Sequence, residues 1–286
     1  RITWEEAGTL REMRSLAPEQ GGDNLITLNA GENAIIGGAG SHQITVGDQR
    51  SVILGDLGVL EYNADGILVH AATTDFGLGG GDTITAGDGG NVILGGDGGN
   101  VIDSGRGDDQ VAGGHAALTY SDTGVLLTFA SLLTDDGDAV ADGGDDTITL
   151  AGGSNVVIGG MGSDTITIDE SDPESTQRII GNLGQFGFAE DGTLRLAESL
   201  APHQGGETIA EILSGHVVFI GGRGNSSLTI AEASEDSRHA ILGNNGRIAW
   251  DEAGTLREMM SLAPEQGGDN LITLNAGENA IIGGAG

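Results

Sequence analysis

Between Gly79 and His115 the aliphatic residues Ile84, Ile93, Ile102 and Val111 recur every nine positions in a background of glycine and aspartate. Nine matches neither the 3.6-residue period of an amphipathic helix nor the alternation of a half-buried strand, so the pattern predicts a short strand plus a turn, repeated. A three-residue strand buries only its middle side chain, which accounts for one aliphatic residue per repeat. The turns need left-handed backbone, which accounts for the glycines. Two positions before each aliphatic residue stands a small polar acceptor: Asp82, Asn91, Asn100 and Asp109. The chain is predicted to coil.

The same spacing runs through Ile26, Ile35, Ile44 and Ile53, and again through Ile148, Val157 and Ile166. Further on, Ile209 and Val218 keep step and Leu228 arrives one residue late. Two intervals, Ile166 to Ile179 and Leu228 to Ile241, widen to thirteen residues. Each carries an acidic insertion, Asp169 to Glu174 and Glu232 to Asp236, expected as a solvated loop at the coil's edge.

A longer period lies over the short one. Residues 1–40 recur at 247–286 with changes only at Thr3/Ala249, Glu5/Asp251 and Arg14/Met260, an offset of 246. The chain therefore reads as a window cut from a tandem array. Within the 246 residues, the pattern apolar-x-aromatic-x-x-x-Gly-x-Leu opens four modules, 1–58, 59–116, 117–184 and 185–246, and restarts at 247–286. Its aromatic position holds Trp4, Tyr62, Tyr120, Phe188 and Trp250, five of the nine aromatic residues in the chain, which makes it a structural slot. Each opening predicts a β-hairpin arm, with Ala64-Asp65-Gly66 and Glu190-Asp191-Gly192 suiting a type I turn closed by a left-handed glycine. Arg11 to Leu16 and Arg257 to Leu262 are open to one helical turn instead, cut short by Pro18 and Pro264.

Composition narrows the function. The 43 acidic residues against 11 arginines and no lysine give a formal charge of −32, which repels nucleic acid and anionic membranes and disfavours compaction unless cations neutralise it. No apolar run is long enough to span a bilayer. The absence of cysteine removes disulfides and thiolate sites, and without lysine there is no P-loop.

The glycine-rich nonapeptides resemble the RTX family of calcium-binding repeats, G-G-x-G-x-D-x-U-x with U a large aliphatic residue. The resemblance implies an all-β fold, a parallel β-roll or β-solenoid in which two nonapeptides make an eighteen-residue turn and Ca²⁺ sits between stacked turns. Carried onto this chain, it pairs residues eighteen apart: Asp146 with Asp164, Asp82 with Asn100, and Asn91 with Asp109, with Asp145 and Asp108 alongside. Carboxylate and carbonyl oxygens are the donors Ca²⁺ prefers. The equivalent positions of the first module, Asn24, Asn33, His42 and Ser51, and of the fourth, Glu207, His216, Ser226 and His239, depart from the pattern. Hydrogen bonding to the neighbouring turn without an ion is the competing reading at all of these positions, Asp82, Asp109, Asp146 and Asp164 included. Asp88 and Asp97 fall mid-turn and are expected in solvent.

The six histidines show no zinc spacing and are expected at the surface or the coil edge. Acids are too plentiful for a pair such as Asp135-Asp136 to mark a glycosidase. Thr83, Thr85, Thr147, Thr149, Thr165 and Thr167 flank buried isoleucines and form outward ladders similar to those of ice-binding solenoids, expected to be short and broken by the arms. Together these features predict a non-enzymatic, secreted or cell-surface bacterial protein, a calcium-stabilised rod or filament segment of an adhesin, appendage or matrix. Its partners are neighbouring repeats of its own chain, with lateral association of rods as a further possibility and neither nucleic acid nor membrane insertion expected. The alternatives are a scaffold within a secreted enzyme or toxin and an ice-binding solenoid.

Overall fold

The computed structural model describes residues 1–286 apart from 7, 17–18, 141–142, 170–171 and 285–286. Three long sheets run side by side along one axis. One is a ten-stranded antiparallel sheet and the other two are nine-stranded and parallel. The described residues form no α-helix.

The second module shows how the sequence makes this arrangement. Gly58–Tyr62 and Leu68–Thr73 form its hairpin arm. Gly66 closes the turn at φ +78°, donating its N–H to the Asn63 carbonyl at 3.1 Å. The chain then winds twice, through Thr83–Thr85, Val92–Leu94, Val101–Arg106 and Gln110–Ala112, alternating between the two parallel sheets. Residues eighteen apart stack: Ile84 pairs with Ile102, and Ile93 with Val111. Ile102 then pairs with Ile148 across an intervening arm, and the ladder continues unbroken.

The two parallel sheets have different surroundings. One, the open sheet, contains strands such as Thr83-Ile84-Thr85, whose isoleucine is buried between flanking exposed threonines. The other, the middle sheet, contains strands such as Val92-Ile93-Leu94, buried at all three positions. Its inward residues meet those of the open sheet in one core containing Ile44, Ile84, Ile93, Ile102, Ile148 and Ile166. Its outward residues, among them Leu54, Leu94 and Ile158, meet Leu60, Leu118, Phe129, Phe186 and Ile248 of the arm sheet in a second core. A strand buried on both faces reads as a continuous aliphatic run, because neither face meets water.

The arms pair edge to edge, Leu118 with Ala71 and Phe129 with Phe186, so each hairpin is continued by the next. Tyr62, Tyr120, Phe188 and Trp250 from the aromatic slot pack into the second core, and the Tyr120 hydroxyl donates to Gln110 Oε1. Trp4, in the first arm, is 61% exposed.

Four expectations are corrected. Leu10–Arg14 and Leu256–Ser261 are strands rather than helical turns, because pairing into the arm sheet satisfies their backbone; Pro18 lies outside the described residues. In the fourth module the inward residue is Ala210, and Ile209 is 43% exposed. Ala210, Phe219 and Leu228 keep the nine-residue step, so Leu228 is in phase and the reading from Ile209 and Val218 was one residue off. A one-residue slip moves a strand's side chains to the opposite face. The threonine ladders are not broken by the arms, which stack on the far side of the middle sheet. Thr27, Thr45, Thr85, Thr149, Thr167, Thr229 and Thr273 share one outward rank, interrupted by Asp103 and Glu211. Fourth, Asp97 is buried, not solvated, while Asp88 is exposed. Of the acidic insertions, Glu232, Glu235 and Asp236 are exposed, as are Asp169, Asp172 and Glu174; residues 170–171 lie outside the described set.

Candidate metal centre at the coil corners

The polar residue two places before each inward aliphatic residue sits where the strand begins. Its side chain reaches along the rod to the coil before it. In the open sheet Asp82 Oδ1 accepts the His42 N–H at 2.6 Å, and Asn100 Oδ1 accepts the Asp82 N–H at 2.9 Å. Asp146 Oδ1 then accepts the Asn100 N–H at 2.6 Å, and Asp164 Oδ1 the Asp146 N–H at 3.0 Å. A second ladder on the middle sheet joins Ser51 to Asn91, Asn91 to Asp109 and Asp109 to Asn155 at 3.0, 2.7 and 2.9 Å. The pairs Asp146/Asp164, Asp82/Asn100 and Asn91/Asp109 are thus direct neighbours, and all six side chains are buried. Asp108 and Asp145 stand outside them, exposed, accepting the Ser154 and Ser163 N–H groups at 2.7 Å each.

The other half of each side chain separates the amides from the acids. Asn24, Asn100 and Asn270 donate Nδ2–H to the carbonyls of Gly37, Gly113 and Gly283 at 3.1, 3.0 and 2.7 Å, and the Thr208 hydroxyl donates to Gly221 at 2.9 Å. Asp82, Asp146 and Asp164 occupy the same slot with an oxygen. A Cβ added at Gly55 would lie 2.1 Å from Asp82 Oδ2 and 2.5 Å from the Gly95 carbonyl oxygen. The corresponding point at Gly113 is flanked by Asp146 Oδ2 and the Gly159 oxygen, and at Gly159 by Asp164 Oδ2 and the Gly181 oxygen. Two acceptors therefore share each slot. Oδ2 of Asp82, Asp146 and Asp164, and of Asp109 on the second ladder, is buried with no hydrogen-bond partner.

An uncompensated buried carboxylate is costly, so it takes up a proton or a cation. Burial pushes the Asp82 and Asp146 carboxyls up to about 7 and Asp109 up to about 6, against opposing backbone hydrogen bonds. Asp164 is raised well above the ordinary carboxylate range by burial and by Asp146 beside it. The donors in each slot are hard oxygens, carboxylate and carbonyl, and fit Ca²⁺ in kind.

Three further groups bury polar side chains away from the predicted pairs. Asp97 accepts the N–H groups of Gly77, Leu78 and Gly79 at 2.9, 3.1 and 2.8 Å and meets His115 Nε2 at 2.8 Å. Burial raises its pKa, but His115 and the backbone donors outweigh that and hold it at about 2. Asp56, at the end of the first module, is pushed up to about 8 by burial and by Asp82. His42, His115 and His239 are not at the surface: His42 and His239 are buried, and the His115 side chain is only 6% exposed. In the fourth module Thr208 and Val217, not Glu207 and His216, occupy the ladder positions, which follows from the one-residue slip.

Fold and slots together define an all-β solenoid of two long parallel sheets with a third sheet laid along one side. No family model, curated protein or solved structure matches the chain.

Proposed function

We propose that this chain is a rod segment of a secreted or cell-surface structural protein, built from RTX-type repeats and stabilised by Ca²⁺ at the carboxylate slots. The observation that carries the reading is a match of dimensions. Each module adds two strands to every one of the three sheets. The ninth strand of the open sheet, Asn270–Leu274, repeats the first, and the last two arm strands repeat the first two. A 246-residue unit therefore occupies eight levels in all three sheets, about 38 Å at about 4.8 Å per level. Coils and arms advance together, so the stack extends without accumulating strain. Extracellular Ca²⁺ neutralises the slots of the acidic chain and contributes folding energy outside the cell.

The test is electron microscopy of chains carrying one, two and four units. Rods lengthening by about 38 Å per unit support the reading. Rounded particles sink it.

A second reading has one observation behind it. The threonine rank on the open sheet spans seven of nine levels and faces outward. Asp103 and Glu211 interrupt the flat hydroxyl array that ice recognition needs, which favours the rod. Thermal hysteresis in a freezing assay would reverse that preference.

A further inference from the structure

The junction between one module and the next brings together three positions: the last open-sheet slot, the module's exit residue and the first slot of the following module. At the fourth junction these are Ser226, Asn244 and Asn270. There Asn270 Nδ2–H donates to Asn244 Oδ1 at 2.8 Å, and Asn270 Oδ1 accepts the Ser226 N–H at 3.0 Å. The amides complete each other. At the first junction the same positions hold His42, Asp56 and Asp82, with Asp56 and Asp82 separated by the same 26 residues as Asn244 and Asn270.

Here the amide pair is replaced by two carboxyl groups, which have no amide hydrogen to share. All three side chains are at most 3% exposed. A ring nitrogen of His42 and carboxylate oxygens of Asp56 and Asp82 lie within 4.8 Å of one another. Asp82 Oδ1 is engaged by the His42 N–H and Asp56 by the N–H groups of Asp97 and Gly80, but Asp82 Oδ2 is buried and unpartnered. Elsewhere the combination does not recur: the second junction has Asn100, Gly114 and Asp146, the third Asp164, Asn182 and Thr208.

We propose that His42, Asp56 and Asp82 form a buried site for one first-row divalent metal ion of the Zn²⁺ type, which takes the Asp82 slot in place of calcium and leaves those at Asp146 and Asp164 to it. Imidazole nitrogen beside carboxylate oxygen suits such ions, whereas Ca²⁺ takes oxygen alone. Binding uses the one imidazole lone pair: at Nδ1 it displaces the Asn24 N–H contact (3.0 Å) and keeps Nε2–H on the Gly38 carbonyl (3.1 Å), whereas at Nε2 the ring proton moves to Nδ1 and both contacts are given up. The metal would fasten the first module to the second at one point. It shares only Asp82 with the calcium reading, so calcium binding at Asp146 and Asp164 can fail without it.

The solenoid supplies its own controls. Asn stands at positions equivalent to 42, in Asn24 and Asn100, and at positions equivalent to 56, in Asn182 and Asn244. Calorimetric titration of the full chain with Zn²⁺ in excess Ca²⁺ is expected to show one tight equivalent. His42→Asn and Asp56→Asn should weaken it at least about tenfold with circular dichroism unchanged, the loss expected even for supporting groups. Asp146→Asn should leave it intact. On the unmodified chain, Co²⁺ should shift the imidazole proton resonances of His42 first among the six histidines. Absence of saturable Zn²⁺ binding, binding untouched by His42→Asn and Asp56→Asn, or a Co²⁺ shift centred on another histidine would overturn the proposal.

Discussion

Asn100 and Asp146 occupy the same slot on neighbouring coils, joined by the Asn100 N–H to Asp146 Oδ1 at 2.6 Å, yet only the amide can also donate to the glycine carbonyl in front of it. Replacing Asp82, Asp146 and Asp164 together by Asn should supply the missing donors. The unmodified chain is expected to melt lower in chelator than in Ca²⁺, and the triple variant to keep only the small part of that difference that Asp109 supplies. For a chain of this size each kcal/mol corresponds to about 2–4 °C. Equal chelator sensitivity in the two proteins would remove calcium from these slots.

The acidity of the slots also fixes a pH response. Asp56, Asp82, Asp109 and Asp146 have folded-state values of about 8, 7, 6 and 7, above the ordinary 3.8, so the folded chain binds more protons than the unfolded one between those limits. Their stabilisation is complete below pH 4 and is lost as pH rises through 6 to 8. Metal-free protein should therefore melt higher at pH 5 than at pH 8. Asp97 acts oppositely, its contribution disappearing as pH falls from 4 toward 2. Thermal scans in chelator across this range check both arms.

Asp97 ties the lead-in from Gly77 to Gly79 to the coils of its own module, through their three backbone N–H donors and through His115. Asp97→Ala should cost about 3–5 kcal/mol, the range for breaking a buried pair. Amide hydrogen exchange at Gly77, Leu78 and Gly79 should accelerate first. Unchanged protection there would contradict the arrangement.

The phase of the fourth module is testable with two substitutions. Leu228→Ala removes a fully buried side chain and should cost about 2–5 kcal/mol. Ile209→Ala removes a side chain on the outward face and should stay within about 0.5 kcal/mol. Chemical denaturation of the two variants decides it, and a larger loss at Ile209 would restore the original phase.

Much of this architecture is legible in the residues. The nine-residue step located Ile84, Ile93, Ile102 and Val111, all fully buried, and the aromatic slot located the arms. The third layer was also written there and passed unread. Alternate strands carry Thr-Ile-Thr and Val-Ile-Leu, Thr83 to Thr85 against Val92 to Leu94, and the second pattern needs cover on both faces. Asp97 was legible too, since Gly79 and His115 stand eighteen residues to either side of it, the spacing that pairs the slot residues, but its mid-turn position set it aside as solvated. The glycine pairs were the better guide in the fourth module: Gly205-Gly206-Glu207 leads to Thr208 as Gly21-Gly22-Asp23 leads to Asn24 and Gly143-Gly144-Asp145 to Asp146, and only the phase taken from Ile209 pointed to Glu207.

The hydrogen bonds between levels point along the rod, so a pull on its two ends loads them directly. A 58-residue module occupies two levels, about 10 Å. Drawn out, the same residues reach about 200 Å. Each module that gives way thus lengthens about twentyfold while its neighbours hold, and the molecule carries its own slack, released one step at a time under force.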